Sequence, residues 1–246
     1  MVQTSLFKLG DEVDMSSLQD FILEISAMNK LNNQYLLPLY GVVLSNPLKI
    51  ISQLAPEGNL LSKLRKRKLH SLIRLTEYAV QIAKGMNFLA NEGFIHRDLA
   101  CRNILIFNES EVKIGDFGMM RRVASDGIYT MQEKRKVPIA WSAPESLRKR
   151  QFSEKSDVWS FGVLLWEIFT FGDHPWKGSN AKEIITMIEQ GVRMNPAHYC
   201  SSGVWDLVMS CWNMDVDERP PFSLIITKML EVKDLLAYVI TSKSFS

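Results

Sequence analysis

Cysteine is scarce in this sequence of 246 residues, which contains Cys101, Cys200 and Cys211. The number is odd, and the wide spacing matches neither a disulfide framework nor a set of metal ligands. The first residues also lack the basic and apolar segments of a secretory signal. These absences favour a reducing compartment, and we expect a cytoplasmic location.

Charge of one sign and long apolar runs are also lacking. Lys and Arg number 29 against 27 Asp and Glu, which leaves a net charge of +2. Proteins that bind nucleic acid usually carry a strong basic excess, so we expect no nucleic-acid partner. The most apolar window, residues 158–171, is interrupted by Glu167 and is too short to cross a bilayer. We therefore expect no membrane span.

The hydrophobic pattern divides the chain into two parts. Apolar residues recur at helical spacing over residues 18–31, where Ser16 or Ser17 is a plausible N-cap. Two strands are predicted next, over residues 35–43 and 48–54. The Ala-Pro-Glu-Gly sequence that begins at Ala55 is a breaker and the best candidate boundary.

The second part is predicted to be mainly helical. A long amphipathic helix over residues 75–89 ends at Gly93, and residues 116–145 show no convincing period. A stretch of that length without regular structure is usually functional. The remaining predicted elements are strands over residues 104–107 and 112–114, a buried helix over 158–169, and helices over 181–190, 204–212 and 221–236.

Three short motifs in the second part carry chemistry. Residues 96–103 read His-Arg-Asp-Leu-Ala-Cys-Arg-Asn, residues 116–118 read Asp-Phe-Gly, and residues 143–145 read Ala-Pro-Glu. One such triplet is weak evidence, but three in order at sensible spacing are hard to obtain by chance. The set is the one that protein kinases carry.

The same residue types suit phosphoryl transfer on chemical grounds. Asp98 can accept the proton of an acceptor hydroxyl, and the oxygens of Asn103 and Asp116 are ligands of the kind that Mg²⁺ prefers. An isolated aspartate is more often a capping or turn residue. For Asp98 and Asp116, the combination of the three motifs argues against that alternative.

The chain resembles a protein kinase catalytic domain from about residue 8 to residue 236. Ala100 and Arg102, two and four residues after Asp98, and Pro-Ile-Ala-Trp at residues 138–141 are similar to the pattern of tyrosine kinases. Residues 39–44 and 129–138 most resemble the Ack-type non-receptor tyrosine kinases. This resemblance implies an α+β, two-lobe kinase-like fold.

The resemblance also implies how the fold is divided and how a nucleotide binds. Residues 1–54 would be a partial, truncated N-terminal lobe, and residues 55–246 a mainly helical C-terminal lobe. At the positions that match the nucleotide site, Glu24 would pair with the phosphate-binding lysine, and Ser52 would limit the space behind the adenine. Backbone groups of Gln53 and Ala55 would bond the adenine edge, and Leu105 would form its apolar floor.

Further positions match regulatory and structural residues of kinases. Tyr129 would be an autophosphorylation site whose phosphate pairs with Arg97. Its alternative is an ordinary exposed loop tyrosine. Glu145 and Arg219 are expected to form a buried structural ion pair. Arg102, which matches the tyrosine-kinase pattern after Asp98, is expected to be one of the catalytic residues.

Two kinase features are missing from the sequence. No Gly-x-Gly-x-x-Gly loop occurs, and family spacing from Glu24 places Ser5 where kinases carry the strand lysine. Lys8 lies three residues further on, so on a strand it would point to the opposite face. We expect a truncated product or an incomplete gene model.

The implied function is transfer of the γ-phosphate of ATP, with Mg²⁺, to tyrosine hydroxyls of protein substrates. A catalytically inactive kinase-like domain that binds or regulates partners is the alternative that Ser5 favours. A serine/threonine kinase is the third reading.

Overall fold

A computed structural model describes residues 2–7, 15–45, 47–66, 71–132, 136–197 and 199–243. The described elements, in chain order, are β1 (Val2–Phe7), α1 (Met15–Lys30), β2 (Leu39–Val43), β3 (Leu48–Gln53), α2 (Leu60–Arg65), α3 (Leu72–Asn91), β4 (Phe94–Ile95), a 3₁₀ helix (Cys101–Asn103), β5 (Ile104–Asn108), β6 (Glu111–Ile114), β7 (Arg121–Arg122), β8 (Tyr129–Thr130), a second 3₁₀ helix (Ile139–Trp141), α4 (Pro144–Lys149), β9 (Gln151–Phe152), α5 (Glu154–Phe169), α6 (Ala181–Glu189), α7 (Ser202–Cys211) and α8 (Phe222–Lys243).

The N-terminal part is a three-stranded antiparallel sheet against which α1 packs. The strand order is β1-β3-β2, so β3 is the central strand. Its residues alternate between buried and half-buried positions, as expected for a strand with one face on a core. Phe21 and Met28 of α1 are buried in that core. The predicted helix and the second predicted strand are thereby confirmed.

Two predictions for this part need correction. The helix begins at Met15, so Ser16 and Ser17 lie inside it and neither is the N-cap. The first predicted strand begins at Leu39 instead of residue 35. The cause is a turn in which the side chain of Asn33 accepts the backbone N–H of Tyr35 at 2.9 Å, which starts the chain in a bend before the strand.

The C-terminal part is built around α5, which is buried on nearly every side as the apolar pattern predicted. Phe161 of α5 meets Phe222 of α8 edge to face, with ring centroids 5.7 Å apart. Gly162 permits a close approach, because a Cβ atom there would lie 2.7 Å from the indole nitrogen of Trp212. The helices α3, α7 and α8 surround this core, and all the predicted helices of this part are present.

Several boundaries differ from the prediction. The last helix runs to Lys243, seven residues beyond the predicted end, and the short helices α2 and α4 were not predicted. The region after residue 116 is irregular as expected, although β7 and β8 pair there with β4 and β9. Strands of only two residues leave no periodic pattern in the sequence, so only their pairing with a distant strand reveals them.

The described part of the chain contains no helix that is both long enough and apolar enough to cross a membrane. All three cysteines are free thiols, as their spacing predicted.

A buried ion pair links α4 to the segment before α8. Arg219 donates to both carboxylate oxygens of Glu145, at 2.7 and 2.9 Å, and its side chain is fully buried. The guanidinium also donates to the carbonyl oxygens of Asn213 and Lys155 at 2.9 Å. The predicted pairing of Glu145 with Arg219 is therefore confirmed.

The ion pair yields a stability prediction. Glu145→Ala leaves the Arg219 charge buried without its counter-ion, so we expect the free energy of unfolding to fall by about 3–5 kcal/mol. Urea denaturation followed by circular dichroism measures this. Arg148→Ala on the same helix removes an exposed pair with Glu189 and should cost far less. Equal losses for the two variants would contradict the assignment.

Candidate active site

A cavity of about 360 Å³ lies between the N-terminal sheet and the C-terminal part. Its lining combines apolar side chains with carboxylate, amide and guanidinium groups. The lining residues are Gln3, Glu24, Met28, Leu37, Ile50, Ser52, Arg102, Asn103, Leu105, Gly115, Asp116 and Phe117. The structure therefore brings six of the predicted site residues to one cavity: Glu24, Ser52, Arg102, Asn103, Leu105 and Asp116.

Asp98 lies beside this cavity and is held on both oxygens. Arg102 donates to Oδ1, and the Asn103 amide donates to Oδ2 at 2.8 Å and to the Asp98 carbonyl at 2.7 Å. The 3₁₀ helix that contains both partners turns them back toward Asp98. Because the Asn103 nitrogen is used on Asp98, its oxygen is the atom that remains to meet a cation.

The loop before Asp98 is anchored by a residue that the sequence did not single out. Asp157 of α5 accepts the backbone N–H of His96 at 2.7 Å and that of Arg97 at 2.9 Å. Arg97 has a φ of +70°, a conformation that a residue with a side chain rarely adopts. Burial raises the pKa of Asp157, and the nearby His96 ring and the two N–H donors oppose that shift. Two bonds to one carboxylate hold the strained turn.

His96 joins the Asp98 loop to the Asp116 loop. Its Nδ1 accepts the N–H of Asp98 at 3.3 Å, which assigns the ring proton to Nε2, and Nε2 donates to the carbonyl of Gly115 at 3.1 Å. The imidazole also meets Phe117 edge to face at 5.9 Å. These contacts give His96 and Phe117 a structural role between the two loops.

Asp116 is exposed toward the cavity and has a φ of +58°. Its Oδ1 accepts the N–H of Gly118 at 3.4 Å. A Cβ atom on Gly118 would lie 3.5 Å from Asp116 Oδ1 and also 3.5 Å from Glu24 Oε2. The helix carboxylate and the loop carboxylate thus flank the same glycine, and α1 is close to the Asp-Phe-Gly turn.

The adenine side of the predicted site is partly represented in the cavity. Ser52 is buried and Leu105 lines the wall, while Gln53 is the last residue of β3 and Ala55 lies on the segment that follows it. The role predicted for Gln53 and Ala55 involves backbone groups, and it remains a prediction.

The strand register places residue 5 on the cavity face of the sheet. Gln3 lies opposite Ser52 and Ser5 opposite Ile50, and Gln3, Ser52 and Ile50 all line the cavity. Alternate residues of a strand share a face, so position 5 lies on the same face as Gln3. Lys8 is outside the described residues.

A wall of the site beside Asp98 is formed by Arg102 and Trp141. The Arg102 guanidinium lies 4.4 Å from the centroid of the Trp141 ring. The Trp141 indole N–H donates to Glu167 of α5 at 3.0 Å. Glu167, like Asp157, is a buried carboxylate that the sequence pattern missed; the signal was a charged residue inside a helix that is otherwise apolar all round.

Tyr129 and Arg97 lie together, although neither lines the cavity. The Arg97 guanidinium is 4.9 Å from the centroid of the Tyr129 ring, and Arg97 is 4% exposed. Arg97 also donates to the carbonyl of Met119 at 3.1 Å. Pairing of Tyr129 with Phe152 brings the tyrosine to this position. The regulatory role of the pair stays a prediction.

The donor set suits a hard cation that takes some of its ligands from a substrate. Among the described residues, no group of three or more His, Cys, Asp and Glu side chains could hold a metal by itself. Asn103 and Asp116 offer an amide and a carboxylate oxygen at one cavity. Mg²⁺ typically uses one or two carboxylates and completes its shell with water and phosphate oxygens, so the residues fit.

This geometry agrees with comparisons of the sequence. Residues 4–229 match the family model described as protein tyrosine and serine/threonine kinase. The chain belongs to the protein kinase family, and the predicted α+β kinase fold is confirmed.

Its relatives are tyrosine kinases, as the motifs indicated. The chain is 46% identical to Activated Cdc42 kinase Ack of Drosophila melanogaster over 91% of its own length, and that match spans 21% of the relative. It is 40% identical to tyrosine-protein kinase sid-3 of Caenorhabditis elegans over 89%, which spans 18% of that protein. Megakaryocyte-associated tyrosine-protein kinase of Rattus norvegicus is 39% identical over 90%, with 48% of its length covered. The predicted resemblance to Ack-type kinases is confirmed, and the chain spans between 18% and 48% of the length of these relatives.

The anchor of the Asp98 loop can be tested directly. Asp157→Ala leaves the N–H groups of His96 and Arg97 buried without an acceptor, which costs about 1–3 kcal/mol for each group. We expect a loss of about 2–6 kcal/mol in the free energy of unfolding, measured by denaturant titration.

The control is Asp126→Ala, which removes an exposed carboxylate that accepts the N–H of Ile128 at 3.0 Å. This variant should unfold close to the wild-type midpoint. A destabilisation by Asp157→Ala no larger than that of the control would mean that the loop is held by other contacts.

Proposed function

We propose that the chain is a protein tyrosine kinase domain that transfers the γ-phosphate of ATP to tyrosine hydroxyls of protein substrates. The observation that carries the proposal is that Asn103 and Asp116 line one cavity, while Asp98 beside it is oriented by hydrogen bonds from Arg102 and Asn103. The fold family and the tyrosine-kinase relatives support the same reaction.

Asp98 is the proposed acceptor for the proton of the substrate hydroxyl. As the tyrosine oxygen forms its bond to the γ-phosphorus, the bond from that phosphorus to the bridging oxygen breaks and ADP leaves. The tyrosine proton passes to Asp98. Arg102 and Asn103 fix the carboxylate so that one orientation is available when the substrate arrives, which lowers the cost of reaching the transition state.

Asn103 and Asp116 are the proposed magnesium ligands. The ion would neutralise charge on the phosphate oxygens during transfer. Leu105 is proposed as the apolar floor for adenine, and Ser52 as the small residue behind it. Backbone groups of Gln53 and Ala55 would bond the adenine edge, and Glu24 would lie at the phosphate side.

A second function is favoured by one feature of β1. Ser5 occupies the position where kinases carry a lysine, so the described cavity has no lysine on that face to anchor phosphates. An inactive kinase-like domain that binds partners or regulates an active kinase is therefore the alternative proposal.

The division into lobes, the partners, the location and a phosphorylation site can also be proposed. We propose residues 1–54 and 55–246 as the two lobes, because the cavity lies where the sheet meets the helical part. Proteins with tyrosine acceptors are the proposed partners. A cytoplasmic location is proposed because the three cysteines are free thiols. Autophosphorylation of Tyr129, with Arg97 as the phosphate partner, is proposed from their contact.

The catalytic proposal predicts the effect of a conservative change. Asp98→Asn keeps the side-chain volume but removes the proton acceptor, so phosphotransfer from labelled ATP to a tyrosine-containing peptide should fall by about 10²–10⁴-fold. The matched control is Asp234→Asn, which makes the same carboxylate-to-carboxamide change at an exposed position of α8. Equal rates for wild type and Asp98→Asn would remove the enzyme proposal and leave the binding module.

The absence of a lysine at position 5 predicts that adding one will raise the activity. Ser5→Lys introduces the missing cation, and one preorganised contact of this kind is worth on the order of 10²-fold in rate. We expect the same peptide assay to show a rise of at least tenfold. Ser5→Met adds a comparable length without charge and should not raise the rate. Ser5→Lys combined with Asp98→Asn should be inactive. If the lysine and methionine variants were equal, position 5 would not face the phosphates.

A further inference from the structure

A second cavity, of about 530 Å³, shares no lining residue with the proposed active-site cavity and is larger than it. Four segments enclose this second cavity: the turn before β2, the helix α3, the β5–β6 hairpin and the helix α8. Sites for small molecules typically have volumes of about 300–1,000 Å³, so the cavity has the size of a ligand site. The proposed reaction uses none of its residues.

The end of the β5–β6 hairpin is held against α3 by two side chains of that helix. Gln81 donates from Nε2 to the carbonyl of Ser110 at 2.7 Å, and its Oε1 accepts the N–H of Val112 at 3.0 Å. The Tyr78 hydroxyl donates to the carbonyl of Glu109 at 2.9 Å. These three hydrogen bonds fix one wall of the cavity before any ligand arrives.

The wall formed by the turn before β2 is fixed as well. The carbonyl of Tyr35 accepts the N–H of Ile114 at 2.8 Å. A Cβ atom on Gly85 of α3 would lie 3.1 Å from Tyr35 Cβ and 2.8 Å from Ile114 Cδ1, so the turn packs directly on the helix. Val80 and Leu230 add apolar surface from α3 and α8. The cavity is therefore preformed and has an apolar and aromatic part.

The carboxylates that line the cavity already have partners. Glu77 Oε2 accepts from the guanidinium of Arg74 at 2.7 Å. Glu111 accepts from the amide of Asn108 at 3.1 Å and pairs with the ammonium of Lys113 at 3.3 Å. Each carboxylate is thus neutralised by a cation of its own element, and neither needs a further cation of the lining.

Two ammonium groups of the lining are left over from this pairing. Lys84 of α3 and Lys233 of α8 are both half-buried, and no carboxylate of the described residues lies within ion-pair distance of either. The Lys84 ammonium lies 5.8 Å from the centroid of the Tyr35 ring. Half-buried charges lose part of their hydration, so an anion held between α3 and α8 would be a favourable partner for both lysines.

We propose that this cavity binds a small organic anion that carries two or more phosphate or carboxylate groups, with Lys84 and Lys233 as its charged contacts. The apolar part of the ligand lies against Tyr35 and Leu230. A peptide strand is a poorer occupant, because Gln81 already bonds the backbone groups at the hairpin end that an added strand would use. The site goes beyond phosphoryl transfer and does not depend on it.

Pyrophosphate and citrate are the two probes, because they present phosphate and carboxylate groups on small molecules. Isothermal titration calorimetry without ATP measures their affinity for the wild-type chain, Lys84→Met and Lys233→Met. Each substitution keeps most of the side-chain length but removes one charge-assisted contact, so we expect each to weaken binding by about tenfold. Lys149→Met, at an exposed position of α4, is the matched control and should bind as the wild type does.

The place of binding is measured on the wild-type chain, so it does not depend on the folding of any variant. The backbone amide signals of Tyr35, Lys84 and Ser110 should shift when a probe is added. Shifts confined to Asp116 and Gly118, or loss of probe binding when an ATP analogue saturates the chain, would place the probe in the other cavity and overturn the proposal.

The two probes distinguish the sources of the anion. Binding of pyrophosphate alone would assign the site to phosphate ligands, and binding of citrate alone to carboxylate ligands, and either result supports the proposal. Failure of both probes at millimolar concentration would overturn it, as would equal affinities in Lys84→Met, Lys233→Met and the control. A glutamate-rich peptide that binds more tightly than either probe would also overturn it, because the occupant would then be a protein segment.

Discussion

The site depends on the way in which α5 holds the Asp98 loop through buried carboxylates. Asp157 accepts the N–H groups of His96 and Arg97, and Glu167 accepts that of Cys101, so the loop is anchored on both sides of Asp98. Neither carboxylate can be exchanged for an apolar residue without leaving buried N–H groups unsatisfied. These hydrogen bonds hold the strained backbone turn at Arg97 in place.

From this support the remaining contacts reach outward in two directions. His96 bonds Gly115 and so fixes the start of the Asp-Phe-Gly turn relative to Asp98. The Trp141 ring packs against Arg102 and so joins the Asp98 loop to the segment after Tyr129. Because Arg97 itself lies against the Tyr129 ring, a phosphate added to that tyrosine would meet a buried cation next to the anchored turn. The Asp98 loop, the Asp-Phe-Gly turn and the segment after Tyr129 are thus all linked to α5.

The parts of the site that lie close together in the chain were the predictable ones. Asp98, Arg102 and Asn103 fall within one short motif, and the spacing to Asp116 follows from the two short strands between them. Asp157 and Glu167 were missed because a pattern of apolar residues reports only that α5 is buried, and not which distant N–H groups its few charges will meet. The N-cap expected at Ser16 or Ser17 was wrong because α1 begins at Met15, three residues before the predicted apolar pattern starts at Leu18. The two-residue strands β7 and β8 exist only through their partners.

The central claim is that Asn103 and Asp116 bring oxygen ligands to one divalent cation beside Asp98. Paramagnetic broadening of backbone amide signals by Mn²⁺ with a non-hydrolysable ATP analogue tests this most directly. The account predicts strong broadening at Asn103, Gly115 and Gly118 that Asp116→Asn largely removes, and little broadening at α8. Uniform broadening, or broadening that survives Asp116→Asn unchanged, would contradict it.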